Sequence, residues 1–219
     1  VKVVICNERM ECVASASKPT TIYYPNPGWV EMDVDEYLRL TKACMKECAE
    51  QMRAKGLAVE GIQSIMGDGI ICGIAGVDRE GHAITPYINY LDSRTAGDVQ
   101  AINAMNLDIW GKETGNAEAN CMFPAMFARW FLENSKAFQE KGAKFIHNAP
   151  YILAHLAGLS AEEMFIDWGA MSGWGLGYNV YTKEWSKEQL DLLKLDMKYM
   201  PKIVKPWDII GKLTEEAAE

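Results

Sequence analysis

The residues best suited to do chemistry in this chain gather at Tyr90-Leu91-Asp92-Ser93-Arg94. A carboxylate and a guanidinium two positions apart can accept from and donate to neighbouring hydroxyls, which is what recognition of a polyol requires. Tyr90 adds a ring face for a sugar ring or a carbon chain. A plainer reading has Asp92 capping a helix, Arg94 solvated and Tyr90 in the core. Asp167, ahead of Trp168 and Gly169, is a second carboxylate entering a glycine-rich bend, either as a cap or as a substrate contact.

Other chemistries find little support. His82, His147 and His155 fall in no metalloprotease pattern, and no serine sits in a Gly-x-Ser-x-Gly elbow, so the histidines read as structural or exposed. No phosphate-binding Gly-x-x-x-x-Gly-Lys loop occurs. Gly173-Trp174-Gly175-Leu176-Gly177 lacks the dinucleotide-binding spacing and follows no convincing strand. Cys44 and Cys48 share a helix face, but no second pair or nearby histidine completes a metal set, so they read as core.

The elements that must position these residues follow from periodicity. Val1–Asn7 and Glu11–Ser17 form a predicted hairpin, and a proline-rich loop runs from 18 to 32. Asp33, with Glu36 three residues later, opens a helix whose apolar positions run from Val34 to Met52 and which Gly56 ends. Strands are expected at Ile62–Met66, Ile70–Val77 and Ala83–Tyr90, which places Asp92 at a strand end, where α/β folds put ligand contacts. Helices are expected over 93–106, 118–140, 149–157 and 186–194, the last opened by Ser186 with Gln189. Early strands and a helical second half indicate a mixed α/β domain.

Composition narrows the functions open to such a domain. The chain has 219 residues, with 22 Lys and Arg against 30 Asp and Glu, so 22 − 30 gives −8. That acidity excludes a phosphate-backbone binder, so no nucleic-acid partner is expected. No apolar run approaches the ~18 residues of a membrane span. Apolar residues at 49% and charged residues at 24% are ordinary globular values. Six dilute cysteines, with a strand rather than a leader at the start, point to reduced thiols and a cytoplasmic protein.

Taken in order, the motifs resemble the N-terminal domain of the FGGY carbohydrate kinases, with xylulokinase-like members most similar. Val1-Lys2-Val3-Val4 resembles the strand after the family's Asp-x-Gly-Thr hairpin, and Pro27-Gly28-Trp29-Val30-Glu31-Met32-Asp33 its Pro-Gly-Trp-x-Glu-x-Asp segment. Ile62 to Gly73, Val77-Asp78 and Gly81 match the central strands and hairpin. Pro86 through Asp92-Ser93-Arg94 matches the Trp-x-Asp-x-Arg sugar-binding strand, with Tyr90 in the Trp place. Thr114-Gly115, Arg129 to Asn134, Asp167, Ser172-Gly173, Gly175-Leu176, Trp185-Ser186 and the segment from Ile209 to Ala218 continue the match. The departures are Ile70-Ile71-Cys72 for the family's sugar-contacting Gln-Met-His, Pro150 for an Asp, and Tyr178 for another.

The resemblance implies an actin-like ATPase (ribonuclease H-like) fold, a mixed sheet with flanking helices, in which residues 1–219 form one lobe of a two-lobe kinase. It implies transfer of the ATP γ-phosphoryl group, with Mg2+, to a small sugar or polyol, a xylulose-like ketose first. Asp92, Arg94, Tyr90 and Cys72 are the expected substrate-binding residues. No catalytic residue is assigned, since the catalytic Asp is expected beyond Glu219 and the phosphate hairpin before Val1. The C-terminal ATP-binding lobe of the same protein is then an expected partner, and the open edge of Val1–Asn7 leaves room for a homodimer. The alternative is a sugar-binding or regulatory relative without kinase activity, motivated by Ile70-Ile71-Cys72.

Overall fold

A computed structural model describes residues 1–218. The chain opens with a hairpin of β1 (Lys2–Cys6) and β2 (Cys12–Ser17). Val3 and Ile5 alternate with Lys2, Val4 and Cys6, so one face is turned inward with Ala14 and Ala16. That face packs on Cys44, Cys48 and Met52 of helix α1 (Val34–Ala54), which confirms the two helical cysteines as core. Asp33 caps α1 by accepting from Asp35 N at 2.9 Å. Glu36 does not complete a capping box. Its carboxylate instead accepts from Thr21 N and Thr21 Oγ1, at 2.9 and 3.0 Å, and so fastens the loop before the helix.

The central sheet has the order β3 (Glu31–Met32), β5 (Tyr87–Asn89), β4 (Gly73–Val77), β6 (Lys144–Ile146), antiparallel throughout. β4, β5 and β6 are buried on both faces. Ile74, Ile88 and Phe145 enter one core with Trp110, Phe127, Phe131, Phe138 and Trp174. Ala75, Val77, Tyr87 and Ile146 enter a second core with Tyr37, Tyr151 and Ala154. Two smaller pairings complete the strands: β7 (Phe165–Asp167) runs parallel to β10 (Lys202–Val204), and β8 (Tyr178–Asn179) is antiparallel to β9 (Glu184–Trp185). The other helices are α2 (Ala96–Asn103), α3 (Ile109–Thr114), α4 (Pro124–Asn134), α5 (Lys136–Lys141), α6 (Asn148–Leu156), α7 (Trp168–Ser172), α8 (Lys187–Leu192) and α9 (Glu215–Ala218).

Three expectations need correction. Ile62–Met66 is not a strand, and Ile62, Ile65 and Met66 are exposed. A strand exists only through a neighbour's hydrogen bonds, and β4 is already flanked by β5 and β6. The helix over 118–140 is two. Pro124 opens α4, and Ser135, in extended conformation, ends it and caps α5 by accepting from Phe138 N. Gln189 does not help cap α8; it is buried and holds the β8 turn through Gly177 N and Tyr178 O.

Candidate functional site

The Tyr90–Arg94 segment leaves β5 through a turn in which Asp92 N donates to Asn89 O at 2.9 Å. The turn sends Asp92 inward. Its Oδ1 accepts from Arg94 N (2.8 Å) and Arg94 Nε (3.0 Å), and its Oδ2 from Val30 N (2.6 Å) and Arg94 Nη2 (2.8 Å). Four donors fill the roughly four lone-pair positions of a carboxylate. Arg94 Nη2 also reaches Glu31 Oε1 at 2.8 Å. The guanidinium carbon lies 3.9 Å from the centre of the Trp29 ring and 4.7 Å from that of Trp130, which meet edge to face. Both charged side chains are closed to solvent, at 0% exposure for Asp92 and 1% for Arg94.

This differs from the plainer reading of the segment, while Arg94 does hold Asp92 in place. Arg94 is not solvated, and Asp92 does not cap α2. Nor are the Asp92 oxygens free for sugar hydroxyls, because backbone and guanidinium donors occupy them. What the pair does is tie Gly28–Glu31 to the end of β5, helped by Ser93 N donating to Gly28 O at 2.8 Å. Gly28 has φ +78°, and a Cβ there would lie 2.5 Å from Ser93 Oγ, so the close approach requires glycine.

The next two residues behave in the opposite way. Tyr90 is 44% exposed and Leu91 58% exposed. Gly73 pairs with Asn89 across β4 and β5, so Cys72 and Tyr90 stand one step further along the same sheet end. Cys72 is half-buried, its Sγ donates to Gly173 O at 3.4 Å, and burial pushes its thiol pKa up. The loop carrying Gly173 backs this end of the sheet. A Cβ at Gly173 would lie 2.3 Å from Ile71 Cγ1, so the glycine run serves close packing. Tyr178 Oη donates to Ser172 O at 2.7 Å, and Asn116 Nδ2 to Gly175 O at 2.8 Å. Asp167 takes the cap reading, accepting from Gly169 N and Ala170 N at the start of α7.

One of the three histidines read as structural or exposed is buried here. His147 follows β6 on the Phe145 face, is 2% exposed and meets Trp174 edge-on with centroids 5.8 Å apart. Neither ring nitrogen has a hydrogen-bond partner, and burial lowers its pKa from 6.5 to about 4. Its place directly after the alternating Lys144-Phe145-Ile146 was the available signal. His82 is exposed, and His155 Nδ1 lies 2.9 Å from Tyr151 O. Among the described residues no three His, Cys, Asp or Glu side chains are placed to hold a metal ion. No helix among them is long and apolar enough to cross a membrane.

The family model for the N-terminal domain of the FGGY carbohydrate kinases matches residues 1–219. The chain belongs to that family. A xylulose kinase of Klebsiella pneumoniae is 26% identical over 225 residues, covering all of this chain and 43% of the relative. Two solved structures share the fold. A xylulose kinase from Rhodospirillum rubrum superimposes with a TM-score of 0.86 at 21% identity, over 99% of this chain and 43% of its own. A glycerol kinase of Plasmodium falciparum with ADP gives 0.90 at 19% identity, over the same shares of the two chains. The chain thus spans under half the length of these FGGY relatives, and the fold is the actin-like α/β lobe that the sequence motifs implied.

Proposed function

We propose that this chain is the acceptor-binding lobe of an ATP-dependent carbohydrate kinase. The whole protein would transfer the γ-phosphoryl group of ATP to a hydroxyl of a small sugar or polyol, a xylulose-like ketose first. The observation that carries this reading is the open sheet end at Cys72 and Tyr90, on the segments that resemble the family's sugar-contacting strands. Phosphoryl transfer asks little covalent chemistry of the protein, so catalysis rests on placing the acceptor. Tyr90 packs against the acceptor's carbon chain, and Ile71 and Cys72 form a wall. The Cys72 thiol stays protonated at neutral pH, since burial raises its pKa, and so acts as a surface rather than a nucleophile.

Asp92 and Arg94 serve the site from behind. They fix the turn that presents Tyr90 and Leu91, and they hold the Trp29 segment against it. ATP with Mg2+ would supply the phosphoryl group, and the family resemblance implies an Asp beyond residue 219 as the general base. Six unpaired cysteines support a reducing, cytoplasmic setting.

The test presents the whole protein and Mg·ATP with a panel of ketoses, aldoses and polyols, and follows phosphoryl gain by mass spectrometry. One phosphorylated acceptor is expected. No product from any acceptor, with ATP bound normally, would overturn the kinase reading in favour of a sugar-binding relative.

A further inference from the structure

Two of the six free cysteines are cross-strand neighbours, with the Cys12 thiol donating to Ala14 O at 3.5 Å. The β1–β2 register pairs Ile5 with Ala14 and then Cys6 with Cys12, so Val13 is the extra residue of a β-bulge. One step beyond, Asn7 N donates to Glu11 O at 3.0 Å. Hydrogen-bonded and non-hydrogen-bonded pairs alternate along an antiparallel ladder, which makes Cys6 and Cys12 a non-hydrogen-bonded pair. Such pairs bring Cα atoms to about 4.5 Å with side chains on one face, inside the roughly 4.4–6.8 Å range that a disulfide bridges. Both cysteines are exposed, whereas Cys44 and Cys48 are buried beneath the hairpin and Cys72 and Cys121 are half-buried.

We propose that Cys6 and Cys12 form a reversible redox site, a cross-strand disulfide closed by low-molecular-weight disulfides. In the first step the thiolate of one cysteine attacks a glutathione disulfide sulfur and releases one glutathione thiolate. In the second step the other cysteine's thiolate attacks the protein sulfur of that mixed disulfide and releases the second. Two protein thiols are oxidised and one glutathione disulfide is reduced, with both thiol protons passing to the departing glutathione thiolates. The bond closes the turn at residues 7 to 11. It crosses to the strand that α1 already holds, where Gln51 accepts from Ser15 N and donates to Ser15 O.

The experiment equilibrates the folded protein with glutathione disulfide, quenches with acid, and counts free thiols after denaturation. The count should fall by two. Trypsin then separates the two cysteines, because cleavage after Lys2, Arg9 and Arg39 (the Lys18–Pro19 bond resists it) places them in Val3–Arg9 and Met10–Arg39. These peptides should be recovered joined, outweighing their glutathione-capped forms by about ten-fold, as an intramolecular partner at high effective concentration demands. Cys6→Ser should instead leave Cys12 carrying glutathione. Stable capping of the unmutated protein without joined peptides would overturn the proposal. So would a link to any of the other four cysteines, or one between two chains.

Discussion

The two ends of one pentapeptide make opposite use of their side chains. Asp92 and Arg94 are buried, bonded to each other and to Val30 and Glu31, with only Arg94 Nη1 left without a partner, and clamped by two tryptophans. Tyr90 and Leu91, at the other end, are open, with Cys72 at the same sheet end. The polar pair looked like the ligand-binding half from its chemistry, yet the Asp92 oxygens are taken up within the fold. The apolar half faces outward, where an acceptor can reach it.

Breaking the buried pair should give the largest effect. Arg94→Ala leaves an unpaired carboxylate in the interior and should cost about 3–5 kcal/mol of stability, measured by denaturant unfolding. An exposed-pair cost below about 1 kcal/mol would dissolve the contrast between the two halves. Arg94→Lys keeps the charge but loses the two-pronged grip and the flat stacking on Trp29 and Trp130, for a smaller loss of about 1–3 kcal/mol.

A buried histidine gives the next effect. His147 has a folded pKa of about 4 against 6.5 when free. Between these values the unfolded chain binds the extra proton, so stability is full above about pH 6.5 and falls as the pH drops towards 4, by on the order of 3 kcal/mol. His147→Phe should flatten that slope in unfolding measured from pH 7 to 4. An unchanged slope would mean that other groups carry it.

The smallest expected effect on stability comes from the open half. Tyr90→Ala should change unfolding by less than about 1 kcal/mol, yet, under the proposed function, raise the acceptor KM of the whole protein about ten-fold, as loss of roughly 1.4 kcal/mol of ring contact implies.

Much of this arrangement was legible in the sequence, where the signals are local. The hairpin, the Asp33 cap and the cysteine face of α1 depend on alternation, one side chain and helical spacing, all within a few residues. The motif order also identified the family. What escaped depends on distant partners. Ile62–Met66 has strand composition but no neighbour to pair with, and Glu36 is drawn from its cap position by Thr21. The Asp92–Arg94 pairing could be read from adjacency. Its closure could not, because Val30, Glu31, Trp29 and Trp130 arrive from far along the chain. Tyr90 and Cys72 were both singled out, but only the β4–β5 register brings them to one edge.

The most direct test measures acceptor KM in the proposed reaction and unfolding midpoint on the same preparations of the whole protein, for Arg94→Lys and Tyr90→Ala. The account predicts a split, with Arg94→Lys lowering the midpoint most and Tyr90→Ala raising KM with the midpoint nearly unchanged. A raised KM at an unchanged midpoint for Arg94→Lys, with Tyr90→Ala silent, would contradict it and put the sugar on the charged pair.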